Sequence, residues 1–168
     1  MAITLYVWLG RGDNPGHVSL QVGATYMSYW PGEEAGKKDF KVKQTHPPAF
    51  PNSYRMDRRL ERRESDVRME LHGLDEQRIL DSWATFRREP ARYNMVKHNC
   101  STVIASLLEF GSGVPPSFTP QIRIDDHVRG WPERLLLRLR FLGNHIHMWT
   151  PNAVHRYALA VRARMEKR

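Results

Sequence analysis

The chain has one cysteine, Cys100, and its place in the sequence gives it a chemistry. The polar segment Tyr93-Asn-Met-Val-Lys-His-Asn99 runs into it. A helical pattern follows, with Val103, Ile104, Leu107 and Leu108 on one face. Gly111 and Gly113 are expected to stop that helix. Cys100 therefore belongs to a first helical turn. There the backbone N–H groups and the positive end of the helix dipole favour a thiolate, the reactive form of the side chain. The competing role for a lone cysteine is that of a small buried core residue.

A thiol nucleophile needs a base, and the base needs a group to orient it. His17 is the preferred base. The run His17-Val-Ser-Leu-Gln-Val22 alternates, with Val18, Leu20 and Val22 on one face. Gly23-Ala24 turns the chain into Thr25-Tyr-Met-Ser-Tyr-Trp30, and Pro31-Gly32 ends that strand, which makes a hairpin. With Val22 paired to Thr25, Ser19 lies opposite Ser28 and His17 opposite Trp30. His17, Ser19, Gln21, Tyr26, Ser28 and Trp30 then share a polar and aromatic face, away from the core face. His17 is thus not committed to the core, and it stands beside a glycine-rich loop. His98 is a rival base by nearness in sequence, but residues two apart around a helix start seldom face each other. His127, His145, His147 and His155 have no ligand-like partners and read as structural or surface groups.

The elements that must hold these residues follow from the patterning. Residues 3–9 read as a buried strand and residues 11–16 as a loop. Residues 32–53, polar and rich in Pro and Gly, read as an excursion, and residues 55–64 are highly charged. Asp66 to Leu71 alternates as a third strand, with Val67, Met69 and Leu71 inward. Asp75 caps a helix that runs to about Arg88. Residues 112–132 are proline-rich and expected to be mostly loop. Residues 132–142 form a short basic helix whose Leu135, Leu136, Leu139 and Leu142 are expected to pack in the core. Thr150-Pro151 opens a last helix with Val154, Tyr157, Ala158 and Val161 on one face. The expectation is a single α+β domain spanning 1–168, a small antiparallel sheet with helices packed on one side.

Composition bounds the partners. The 168 residues carry a formal net charge of +8, which favours an anionic partner without choosing among phosphate cofactor, acidic membrane face and acidic protein. There is no nucleic-acid motif, no zinc spacing and no apolar run of the ~20 residues a membrane span needs. The N-terminus shows no cleavable signal pattern. One cysteine suits a reducing, cytoplasmic compartment.

Gly16-His-Val-Ser-Leu-Gln-Val-Gly23 with Tyr26-Met-Ser-Tyr-Trp-Pro31 resembles the histidine hairpin of circularly permuted papain-fold enzymes of the NlpC/P60 superfamily. His98-Asn-Cys-Ser-Thr102 is similar to their Asn-Cys helix start. Within that superfamily the chain is most similar to the Rho-inactivation domain of MARTX toxins and related bacterial effectors. The shared features are Ser-Tyr-Trp-Pro, Gly73-Leu-Asp-Glu before a helix bearing Trp83, His-Asn-Cys-Ser-Thr, and Trp149-Thr-Pro151. The likeness spans about residues 5–160. It implies a papain-like fold and a catalytic His and Cys, which fall on His17 and Cys100, in the reverse of papain's order. It also implies an acidic residue between them in sequence. Asp57 and Asp66 are both candidates, and Asp57 is favoured because Asp66 flanks the third strand. Asn99 would help to orient the site.

The implied activity is N-ε fatty acylation of lysines on a membrane-associated small GTPase. Acyl-CoA would be the co-substrate, and no cofactor would be bound. The protein would be a monomer, cytoplasmic or delivered into a target cell as an effector. The alternatives are a cysteine peptidase or amidase, including one that removes a ubiquitin-like modifier, and a non-enzymatic basic binding module.

Overall fold

The computed structural model describes residues 3–11, 14–33, 36, 44–127 and 130–167. Most of 34–43, within the expected excursion, and the tip of the 11–16 loop lie outside the described residues, as does the side chain of His127. Strand β1 (Ile3–Trp8) pairs antiparallel with β2 (His17–Val22) on one side. On the other it pairs with β6 (Val67–Leu71), and β3 (Thr25–Met27) lies outside β2. The sheet order is β3-β2-β1-β6. Leu5 lies opposite both Leu20 and Met69, so one apolar row crosses the central strands.

The strand expected over 25–30 divides. After Met27 the chain leaves the sheet, and Trp30–Pro31 forms β4, which pairs with β5 (Pro48–Ala49). Pro31 has no N–H to give a continuing ladder. The departure turns Trp30 inward, where it is buried.

Period-two alternation in β1 sends its side chains to two different cores. Ile3, Leu5 and Val7 join Val18, Leu20 and Leu71 beneath α2 (Glu76–Arg88), α3 (Cys100–Ser112) and α6 (Pro151–Met165). Tyr6 and Trp8 face the other way. They cluster with Tyr26 and are covered by Tyr54 of α1 (Tyr54–Glu61). Helices therefore lie on both faces of the sheet, which corrects the one-sided expectation. Helix α1 is short and charged, and its buried residues are Asp57 and Glu61.

Two further elements stand in the stretch expected to be mostly loop. They are β7 (Gln121–Arg123), paired with β8 (His145–His147), and the single turn α4 (Ile124–His127). Helix α5 (Trp131–Arg140) follows, and its leucines do not pack in the core. Only Leu137 among its residues is buried, while Leu136 and Leu139 are about two-thirds exposed, at 68% and 67%. The sequence places Leu137 on the opposite side from that stripe, and the fold buries this narrower side. No helix of the described residues is long and apolar enough to cross a membrane.

Helix α3 does not stop at Gly111. It continues to Ser112 and ends at Gly113, whose φ of 65° is the left-handed cap. Gly111 instead lets α2 approach: a Cβ built there would lie 2.4 Å from Ile79 Cδ1, and the Gly111 carbonyl accepts from Asp75 N at 2.8 Å. Ile79 is fully buried and has nowhere to go. Gly111→Ala should therefore lower stability by about 1–3 kcal/mol, despite alanine's better helix propensity. Urea unfolding checks this, and an unchanged or higher midpoint contradicts it.

Candidate functional site

The site is assembled by one backbone device at each end. At the start of β2, Gly16 has φ 81°, and a Cβ there would fall 2.1 Å from the Trp8 carbonyl oxygen. Only glycine turns the chain this tightly into His17. Asn14 Oδ1 accepts from Gly16 N at 2.9 Å, and Asn14 Nδ2 donates to Glu61 of α1 at 2.9 Å. Helix α1 thus also anchors the loop that leads to His17. At the start of α3, Asn99 is the N-cap: its Oδ1 accepts from Thr102 N at 2.8 Å. Its Nδ2 donates to the carbonyls of Met95 and Trp149, both at 2.9 Å. The helix that carries Cys100 is so tied to the entry of α6.

His17 is fully buried, so the polar face it shares with β3 is not open. Helix α1 lies over it and brings in the Asp57 carboxylate, also fully buried. Tyr26 OH donates to Asp57 Oδ2 at 2.8 Å, and Ser28 Oγ donates to Oδ1 at 2.9 Å. Trp30 Nε1 donates to Oδ1 at 2.8 Å, and His17 Nε2 lies 3.1 Å from Oδ2. Trp30 Nε1 is also 3.0 Å from His17 Nε2. With Nε2–H directed at the carboxylate that nitrogen cannot also accept, so the indole N–H goes to Asp57. The carboxylate then accepts four hydrogen bonds, which is its full capacity. Ser19 Oγ, 2.6 Å from Tyr26 OH, completes the network.

This arrangement leaves His17 Nδ1. It is buried with no nitrogen or oxygen partner. The charge balance around the ring is explicit. Burial alone would lower the His17 pKa, but the Asp57 carboxylate and the Cys100 thiolate both favour the charged ring and raise it to about 9. Burial would raise the Asp57 pKa, and the His17 charge with the hydrogen bonds from His17, Tyr26 and Ser28 lowers it instead. The Asp57 carboxylate and the His17 imidazolium form a charge chain that points at the Cys100 sulfur.

Cys100 is 5% exposed and opens onto a cavity of about 590 Å³. Gly16, Asn99, Met148 and Trp149 line it together with Cys100, and Gln121, Ile122, Arg123 and Asp126 form the wall from β7 and α4. Nearby Tyr29 and Tyr93 are held protonated by burial and by the Cys100 charge.

The structure thus brings His17, Asp57 and Cys100 together. Asp66 lies elsewhere: its carboxylate accepts from Leu9 N at 2.7 Å and pairs with Arg11 and Arg63, clamping β1 to the start of β6. His98 is exposed, and its backbone pairs with Asn94. His145 and His147 are exposed, and His155 is half-buried. His46, buried with its ring 3.2 Å from Glu33 Oε2, is a second buried histidine and does not line the cavity. Among the described residues no cluster could hold a metal ion. Sequence reasoning did not foresee α1 as the cover of the site. Its signal is Ser53 at the cap, with Tyr54, Asp57 and Glu61 at i, i+3 and i+7.

The family described as the IcsB middle domain matches residues 55–114. That span runs from α1 through the end of α3 and holds Asp57 and Cys100, but not His17. Comparison with curated proteins and with solved structures yields no match.

The charge chain predicts a pH signature in stability. The His17 pKa rises from 6.5 to about 9 on folding, so its stabilising contribution is complete below about 6.5. It is lost as pH rises through about 9. Urea unfolding of Cys100→Ala, which removes the thiol's own titration, should show this decline between pH 6 and 9.5. Asp57→Asn should remove both the slope and about 3–5 kcal/mol of stability. Equal slopes in the two proteins contradict the coupling.

Proposed function

We propose that the chain is a thiol acyltransferase of the permuted papain-like type, with Cys100 as nucleophile, His17 as base and Asp57 as the residue that positions His17. The observation that carries this reading is the buried carboxylate–imidazole pair set behind the chain's only cysteine, at a helix N-terminus facing a cavity. A structural cysteine needs no such apparatus, and burying two charges is costly unless they are used or fully paired.

The chemistry follows from the proton positions. The thiol proton rests on His17 Nδ1, the ring atom that Asp57 does not use, so Cys100 stands ready as a thiolate. The Cys100 thiolate attacks the carbonyl carbon of an acyl-CoA thioester. Backbone N–H groups of the first turn of α3 stabilise the oxyanion. The tetrahedral adduct collapses, breaking the carbon–sulfur bond to CoA, and the CoA thiolate takes the proton from His17. A lysine amine of the acceptor protein then attacks the acyl-enzyme and gives its proton to His17. The Cys100 sulfur leaves, and an amide remains on the acceptor. The Ile122, Met148 and Trp149 side chains offer the acyl chain an apolar wall, and Arg123 offers a cation to a phosphate-bearing donor. The resemblance to Rho-inactivation domains and the match to the IcsB middle domain support a bacterial effector. Its acceptor would be a small GTPase-type protein.

Intact-protein mass spectrometry after incubation with palmitoyl-CoA tests the first half-reaction. The wild-type protein should gain one acyl group in a hydroxylamine-sensitive linkage, and Cys100→Ala should gain none. His17→Ala should slow acylation by ~10²–10⁴-fold. Absence of an adduct, together with cleavage of peptide or isopeptide reporters that depends on Cys100, would replace acyl transfer by hydrolysis. Full acylation of His17→Ala would remove His17 from the mechanism.

A further inference from the structure

We propose that the outward face of α5 is a docking surface for an anionic lipid bilayer. The helix is built the wrong way round for a globular protein. Its buried side is the single residue Leu137, with Arg134 and Phe141 half-buried beside it. Its solvent side carries Trp131 at 74% exposure, Leu135 at 45%, Leu136 at 68%, Leu139 at 67% and, just past the helix, Leu142 at 95%. Trp131, Leu135 and Leu139 are spaced by four, and Leu136 and Leu142 widen the same stripe. Isolated exposed leucines need no explanation, but a contiguous stripe of five large apolar side chains does.

The stripe has the features of an in-plane interfacial helix. A tryptophan stands at one end, leucines fill the face, and arginines flank it. Helical spacing places Arg138 at one edge of the stripe and Arg140 at the other. Arg138 also grips both oxygens of Asp125 at 2.6 Å, which fixes α5 against α4 and cancels an acidic charge next to the stripe. The chain's net charge of +8 adds a long-range attraction to anionic headgroups. A second copy of the chain fits less well. A helix of this length offers a face roughly 15 Å by 10 Å. That is far below the ~800 Å² per partner of a stable complex, and stacking two such faces would set like arginines side by side.

Docking would also place the cavity. The segment that carries α5 begins with Gln121, Ile122 and Arg123 of β7 and Asp126 of α4, all on the cavity wall, and returns through β8 to Met148 and Trp149 on the same cavity. A bilayer under α5 would therefore hold the segment that walls the cavity, and a membrane-anchored acceptor would share that membrane. The lipid contact itself does not depend on Cys100 being a nucleophile.

Flotation of the full chain with vesicles tests this. The chain should float with phosphatidylcholine vesicles containing about a third phosphatidylserine, and poorly with phosphatidylcholine alone. Leu136→Glu/Leu139→Glu changes only exposed residues and should fold normally by circular dichroism. It should lower partitioning at least tenfold, without changing the rate of Cys100 acylation by soluble acyl-CoA. The proposal is overturned if the wild type does not float with the anionic vesicles, or if the double variant floats equally well. A wild-type dimer that the double variant abolishes would likewise overturn it, assigning the face to self-association.

Discussion

A carboxylate with no access to water is the constraint on which the rest of the site depends. Asp57 is fully buried, and a bare buried charge of this kind would unfold the region around it. It is tolerated because four donors converge on it from 27 or more residues upstream: Tyr26, Ser28, Trp30 and His17. Each is placed by the alternation of β2 and β3 or by the departure of the chain at β4. The network therefore fixes the register of the hairpin and the seat of α1 at once. It also decides the tautomer of His17, since the carboxylate claims Nε2–H and leaves Nδ1 for the sulfur.

This explains why a short, highly charged helix is an internal element. Apolar residues do not mark the inward face of α1, because its Met56 and Leu60 are exposed and the residues it buries are Asp57 and Glu61, with Tyr54 half-buried. Pattern reading equates inward with apolar, and here the inward face holds carboxylates whose partners lie in another part of the sequence. The same blindness accounts for taking the His17 face as open. Its mixture of Ser, Gln, Tyr and Trp looks like solvent-facing polarity until the acid that satisfies it is known. What was legible is what depends on local rules. The β2–β3 register, the Asp75 and Thr150 caps, and the buried faces of α3 and α6 all follow from alternation, capping chemistry and helical spacing. Asp57 could be put forward, but nothing local separated it from Asp66. That separation is three-dimensional: Asp66 is consumed by Arg11, Arg63 and the Leu9 amide.

The segment 121–147 shows the opposite failure. The spacing of its leucines predicts a core face, because apolar residues at helical spacing usually have a core to join. The core is already closed by α2, α3 and α6, and α5 reaches it with Leu137 alone. The segment is better understood as one wall of the cavity with an apolar outer surface. Gly111 and Gly16 illustrate the same economy on a smaller scale, each placed where a Cβ would collide with a neighbour.

The chemistry of the site turns on the charge state of His17. Nitrogen-15 NMR of the histidine side chains, with His17 assigned from a His17→Gln spectrum, reads it directly. An imidazolium with both nitrogens protonated at pH 7.5, titrating near 9 in the wild-type protein and well below that in Asp57→Asn, is the expected result. A neutral His17 ring at pH 7.5, or a titration that Asp57→Asn leaves in place, would contradict it.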